Sequence, residues 1–133
     1  MTAGNSTVAA RPELRDGPFT TPQLLRIAEA LKLADTSTGL TFSVYVGDLE
    51  QPVRGHAEKL HSQMDAAERG VLVAISPNQR LLEIVTGDVA RRRIPDRASK
   101  LAALSMSAAF SGGDLAGGIV SGLAQLAEQA GKS

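Results

Sequence analysis

The chain has 133 residues, 43% of them hydrophobic and 21% charged, which suits one globular domain that buries roughly two thirds of its unfolded surface. Lys and Arg number 14 and Asp and Glu 14, for a formal net charge of zero, so no global field draws it to nucleic acid or an anionic membrane. Cysteine is absent, which excludes disulfides, thiol nucleophiles and thiolate metal sites together.

Residues 1–15 are small, polar and aperiodic and read as a flexible tail, with a single domain expected over 16–131. The start lacks an apolar stretch between a basic head and a cleavage site, so no secretory signal is expected. The longest weakly polar run, "LAALSMSAAF", is far short of the ~20 residues of a membrane-spanning helix. The expected location is the cytoplasm.

Order should begin at "RDGPFTTPQLL". Thr20 or Thr21 can cap a helix with Pro22 in its first turn, and Leu24, Ile27, Ala28 and Leu31 share one face. "LTFSVYV" alternates, with Leu40, Phe42, Val44 and Val46 on the buried side of a strand. "DLEQPVRG" reads as a loop, followed by a helix from His56 to Glu68 with Ala57, Leu60, Met64 and Ala67 on one face. "GVLVAIS" is apolar throughout from Val71 to Ile75, as in a strand covered on both faces. "PNQ" turns the chain and "RLLEIVT" returns as a third strand. Strand, helix, strand implies a parallel pair with a right-handed crossover, so "VLVAI" is central, parallel to the first strand and antiparallel to the third. A short basic segment, "VARRRIP", precedes a helix from about Asp96 to Phe110 whose apolar positions include Leu101, Leu104 and Ala108. The last helix opens at Asp114 and carries Leu115, Ile119, Leu123, Leu126 and Ala130 on one face.

The run "FSGGDLAGGIVSG" lies between two helices rather than after a strand, where phosphate-binding glycines must sit. The closing "GKS" imitates a phosphate-loop motif, but Leu126 stands where its first glycine belongs. Gly112 and Gly113 therefore read as the turn, Asp114 as a cap, and Gly117, Gly118 and Gly122 as points of close backbone approach. His56 and His61 are five apart, whereas zinc on a helix wants i, i+4. No strand–Ser–helix elbow supports nucleophilic catalysis. Arg91, Arg92 and Arg93, with Arg97 beyond them, read as a solvated face or as a patch for an anion or acidic partner. Asp88 leaves the third strand at the edge where Glu68 and Arg69 enter the second. Glu68 and Asp88 can converge there as oxygen ligands for calcium or magnesium, or act as caps and surface charges.

The pieces "RDGPFTTPQL", "TGLTFSVYVGDL", "ERGVLVAISPNQRLLEIVTGD" and "FSGGDLAGGIVSGLAQL", taken in order, resemble the TPM domain. The Ala- and Arg-rich, lysine-poor composition also resembles a small actinobacterial family of unknown function. The TPM resemblance spans Asp16 to about Ala130 and implies an α/β sandwich, a central mixed sheet of three or four strands with helices on both faces. It implies acidic residues that bind divalent metal in some members, or that were linked to phosphatase activity. Asp16 matches the family's opening Asp, Glu68 stands where the family often has Asp, and Arg69 replaces an Asn. The family's usual signal sequence and membrane anchor are not seen, so any envelope association would run through a partner.

Two functions follow. The favoured one is a non-catalytic interaction or assembly module with a protein partner. The alternative is a divalent-metal-binding domain with weak phosphohydrolase activity, in which Asp16, Glu68 and Asp88 hold Ca2+ or Mg2+ and Arg69 contacts phosphate. Arg69 could instead neutralise the cluster by pairing with Glu68 or Asp88, and that pairing is the expected outcome.

Overall fold

The computed structural model of the protein describes residues 18–132, so Asp16 and the 1–15 tail lie outside the described residues. Helix α1 (Thr21–Thr38) begins with a capping box: Gln23 N donates to Thr20 Oγ1 at 3.3 Å, and Thr20 N donates to Gln23 Oε1 at 2.8 Å. Two first-turn N–H groups gain partners this way, and Pro22 sits where no donor is required. The helix stops at Gly39, whose φ of 77° lies in the left-handed region that glycine enters without a Cβ clash. Two side chains then join the helix end to the strand that follows. Thr38 Oγ1 donates to Ala34 O and accepts from Leu40 N, while Asp35 Oδ1 accepts from Phe42 N at 2.7 Å.

Three strands form the sheet in the order β1 (Thr41–Val46), β2 (Gly70–Ser76), β3 (Leu81–Thr86). β2 is central and buried at all seven positions. It runs parallel to β1, with Val44 opposite Val73, and antiparallel to β3, with Val73 opposite Ile84. The sheet topology read from sequence is the one observed. Alternation along the strands divides the interior in two. Phe42, Val44, Val71, Val73, Ile75 and Ile84 pack under α1, α4 (Asp96–Ser111) and α5 (Leu115–Ala130). On the other face, Tyr45, Leu72, Ala74 and Val85 pack with Leu49 and with Ala57 of α2 (Val53–Ser62). The fold is thus a mixed sheet with helices on both faces. No helix among the described residues is long and apolar enough to cross a membrane.

Three local expectations are corrected. α2 starts at Val53, inside the stretch read as a loop, and ends at Ser62 rather than Glu68. Ala66, at φ 52°, turns the chain left-handed into a single 3₁₀ turn, Ala67–Arg69, which delivers it to β2. Leu60 and Met64 still pack on the α2-side core, which is why their spacing imitated one longer helix. The basic segment is a short helix, α3 (Asp88–Arg93), whose Ala90 is buried. Finally, α4 turns Leu101 and Leu104 outward, at 54% and 67% exposure, and buries Ala98, Ala102 and Met106.

The glycines of α5 explain that choice of face. A Cβ at Gly118 would stand 2.7 Å from Phe110 Cε1 and 2.9 Å from Ala109 Cβ, and one at Gly122 would stand 2.5 Å from Met106 Cγ. The two helices approach closely through these glycines, with Met106, Ala109 and Phe110 of α4 filling the space beside them. Gly113, at φ 88°, makes the turn, and Asp114 caps α5 by accepting from Gly117 N at 3.0 Å. Gly117 also lies against that capping carboxylate.

Gly122→Leu should lower unfolding free energy by at least ~1–3 kcal/mol, because the overpacked side chain meets a fully buried Met106. In urea melts, adding Met106→Ala should restore part of the loss. Purely additive losses would show that the two positions are not in contact.

Asp35 supplies a pH test. Burial raises its carboxyl above the usual aspartate value, with the Phe42 hydrogen bond pulling the other way. A group whose pKa is higher folded than unfolded helps most below its unfolded pKa, and that help is lost as pH rises through the folded value. Asp35→Asn keeps an acceptor for Phe42 N–H. Its melting temperature should therefore gain on wild type as pH rises from the ordinary carboxylate range through the raised folded value. A gap that shrinks over this range would reverse the assignment.

Candidate functional site

Of the residues singled out from the sequence, Glu68, Arg69 and Asp88 lie at the end of the sheet where β2 begins and β3 stops, and Asp16 lies outside the described residues. Gly87 N donates to Gly70 O at 2.9 Å. A Cβ on Gly87 would overlap Ala67 O and stand 2.6 Å from the Glu68 carbonyl carbon. This close approach sets the chain at Asp88 beside that at Glu68, as the strand directions require. Both side chains point into solvent, and Asp88 is 81% exposed and paired with Arg91 at 3.2 Å. Among the described residues no three His, Cys, Asp or Glu side chains form a metal-holding group.

The arginines take other partners than those expected. Arg69 does not pair with Glu68 or Asp88; its Nε and Nη2 donate to Gly39 O at 3.2 and 2.8 Å. Arg93 reaches further. Its Nη1 donates to Thr38 O at 2.6 Å and its Nη2 to Ala130 O and Gly131 O at 3.2 and 2.7 Å. The last carbonyls of a helix have no intrahelical donor and carry partial negative charge. Two guanidinium groups therefore close the C-terminal ends of α1 and α5. Arg91 donates to Thr86 O at 2.8 Å and lies 3.9 Å from Asp96, linking β3 to the first turn of α4. Among the described residues only Arg92 of the three makes no hydrogen bond. A row of cations in the sequence becomes, for the most part, a set of internal ties.

Other ionisable groups are similarly committed. His56 Nδ1 accepts from Glu50 N at 2.8 Å, and buried His61 places Nε2 3.1 Å from Gly70 O. The Tyr45 hydroxyl is held above its usual range by burial and by the charges of Asp48 and Glu50, and it donates to Asp48 O. Burial works against the Arg54 charge, but the Glu83 and Glu58 carboxylates prevail and hold its pKa up.

A different feature is open. α1 and α5 diverge around a groove of 820 Å³ with Ala30, Ala34, Val120, Ala124 and Ala127 on its walls and Leu33, 68% exposed, at its lip. Arg26 and Glu29 border it on α1, and Glu128 and Lys132 on α5. Sequence periodicity pointed to the buried stripe of α1 and missed this second, shallower one. Its signal was Leu33, three residues after Ala30 and off the face that Leu24, Ile27, Ala28 and Leu31 define.

Residues 4–127 match the family model described as "Domain of unknown function (DUF5130)". The chain belongs to the DUF5130 family. Over 106 residues this DUF5130 domain is 30% identical to the uncharacterized proteins Rv2468c and MT2543 of two Mycobacterium tuberculosis strains. The match takes in 80% of this chain but only 64% of theirs, less than two thirds of the relatives' length. Among solved structures it is similar to the BA42 protein of Bizionia argentinensis, with a TM-score of 0.77, 16% identity, and coverage of 86% of this chain and 83% of that one. The N-terminal domain of a P. gingivalis protein is also similar, at a TM-score of 0.73 and 19% identity over 85% and 76% of the two chains. At such identities the likeness establishes the fold alone.

Arg93→Ala strands carbonyls at the ends of two helices and should cost about 2–3 kcal/mol, the size of lost hydrogen bonds to a charged group. Lys carries one point charge and lacks the planar fork, so Arg93→Lys should recover only part of it. Arg92→Ala should stay within about 0.5 kcal/mol of wild type. Equal losses at 92 and 93 in chemical denaturation would refute the tie.

Proposed function

We propose that this DUF5130 domain is a non-catalytic interaction module of TPM-like build, whose groove between α1 and α5 receives an amphipathic helix from a protein partner. The reading rests on that groove. Four alanines and Val120 form its apolar wall, and side chains this small leave room for the larger apolar side chains of an entering helix. Leu33 left in water forgoes about 1.5–3 kcal/mol of burial that a partner would supply. Both signs of charge lie on its banks, which suits a partner helix with mixed flanks and orients it. The three groups with displaced pKa, Asp35, Tyr45 and Arg54, are each held by structural partners, which supports a binding role over a reaction.

One observation favours a second reading. Gly87 packs against the Glu68 carbonyl, which supports a reading in which Glu68 and Asp88, with Asp16 completing the set, would serve a weak Ca2+ or Mg2+ site with phosphohydrolase activity.

Photo-crosslinking from position 124 in the native cells separates the readings. We expect adducts with an amphipathic segment of one partner, weakened at least about tenfold by Leu33→Asp with melting behaviour preserved. Adducts indifferent to Leu33→Asp, or formed only with a second copy of the chain, would remove the partner-helix reading. For the second reading, millimolar calcium, magnesium or manganese should raise the wild-type melting temperature by mass action and not that of Asp88→Asn. No shift in wild type would sink it.

A further inference from the structure

The opposite end of the sheet, where β2 stops, holds a cavity that none of the foregoing uses. It has a volume of 360 Å³ and lies between the β2–β3 turn and the corner that joins α4 to α5. That volume falls at the small end of the roughly 300–1,000 Å³ typical of small-molecule pockets. It also opens at the carboxyl end of the parallel pair, where α/β sheets hold ligands.

Its chemistry is divided. Ile75, Leu82, Phe110 and Leu115 supply apolar wall, and Arg80, Ser107 and Ser111 supply the polar groups. Ser107 and Ser111 are one helical turn apart on α4 and so share a face. Among the described residues no acidic one lines the cavity. Among the described residues the Arg80 guanidinium has no ion pair and no hydrogen bond.

The turn that carries Arg80 is held from the other side. Gln79 Oε1 accepts from Leu49 N at 2.7 Å and from Ser76 Oγ at 2.6 Å, and Gln79 Nε2 donates to Leu49 O at 3.0 Å. Next to it Arg80 has φ 57°, a left-handed conformation that a non-glycine residue keeps only when its surroundings impose it. Gln79 faces the loop after β1, and Arg80 lines the cavity.

We infer that this cavity binds a small organic carboxylate with an apolar body: Arg80 clamps the carboxylate, Ser107 and Ser111 donate to it, and the body lies against Leu82, Phe110 and Leu115. A single guanidinium matches one carboxylate through two parallel N–H donors. A phosphate dianion would call for a second cation, which the lining lacks. The carboxylate belongs either to a free acid or to the C-terminus of a polypeptide with an apolar last residue.

The test is two-dimensional amide NMR of the whole chain titrated with hexanoate, phenylacetate, hexanamide, inorganic phosphate and the peptide N-acetyl-Gly-Gly-Leu. Saturable shifts around Arg80, Ser107, Ser111 and Leu115 are expected with the acids and absent with hexanamide and phosphate. Arg80→Gln should weaken binding by about tenfold or more, and Ser107→Ala with Ser111→Ala by a smaller factor. Leu33→Asp, in the separate α1–α5 groove, should leave it unchanged. Tighter binding of the peptide than of hexanoate would assign the carboxylate to a polypeptide end, and the reverse order to a free acid. The proposal is overturned if the acids give no saturable shifts, if hexanamide or phosphate matches them, or if the folded Arg80→Gln and Ser107→Ala/Ser111→Ala variants bind as wild type.

Discussion

A strand buried on both faces has no recourse to water, so each N–H and C=O of Gly70–Ser76 needs a partner within the protein. β1 meets one side and β3 the other, and this demand organises the rest of the molecule. Both faces of β2 present apolar side chains, so each needs a helical cover. α1, α4 and α5 close one face, and α2 and the loop around Leu49 close the other. The parallel pairing with β1 requires a crossover, which α2 provides. Chain entries and exits are thereby confined to two ends of the sheet, and the candidate sites lie at those ends or on the outer helices.

Helices that end at the sheet margin leave carbonyls without donors. Arg93 and Arg69 meet them, and Arg91 ties the exit of β3 to α4. The arginine-rich composition is in this respect structural. Within the three-arginine run Arg91 and Arg93 donate to backbone carbonyls, while Arg91 and Arg92 also stand exposed at the surface. Openings among the described residues include the apolar α1–α5 groove and the smaller cavity near Arg80.

For a family described only as a domain of unknown function, the contrast between these openings is informative. The groove is walled by apolar side chains and bordered by both signs of charge, which suits a helix. The cavity is compact and has one cation, which suits one small anion. They lie on separate parts of the fold, so a helix in one leaves the other accessible. The chain spans 64% of the length of its mycobacterial relatives, and what those longer proteins do as wholes is a separate matter from what this domain's surfaces can hold.

Features that depend on near neighbours in the chain were legible in the sequence. The alternation of Phe42, Val44 and Val46, the unbroken run Val71–Ile75 and the turn that follows define the sheet, because strand burial repeats every second residue. Thr20 and Asp114 announced their helix starts through contacts three residues away. Gly118 and Gly122 announced a close approach. Which stripe of α4 would face them was not legible. Leu101 and Leu104 carry the stronger hydrophobic signal, but Met106, Ala109 and Phe110 are the residues that meet the two glycines, and Ala102 and Met106 are the ones buried. The partners of Arg93 lie 37 to 55 residues away, and no local pattern records them. Tertiary structure decided both, since a side chain's final contact depends on the shape and the unmet hydrogen bonds of whatever the fold brings beside it.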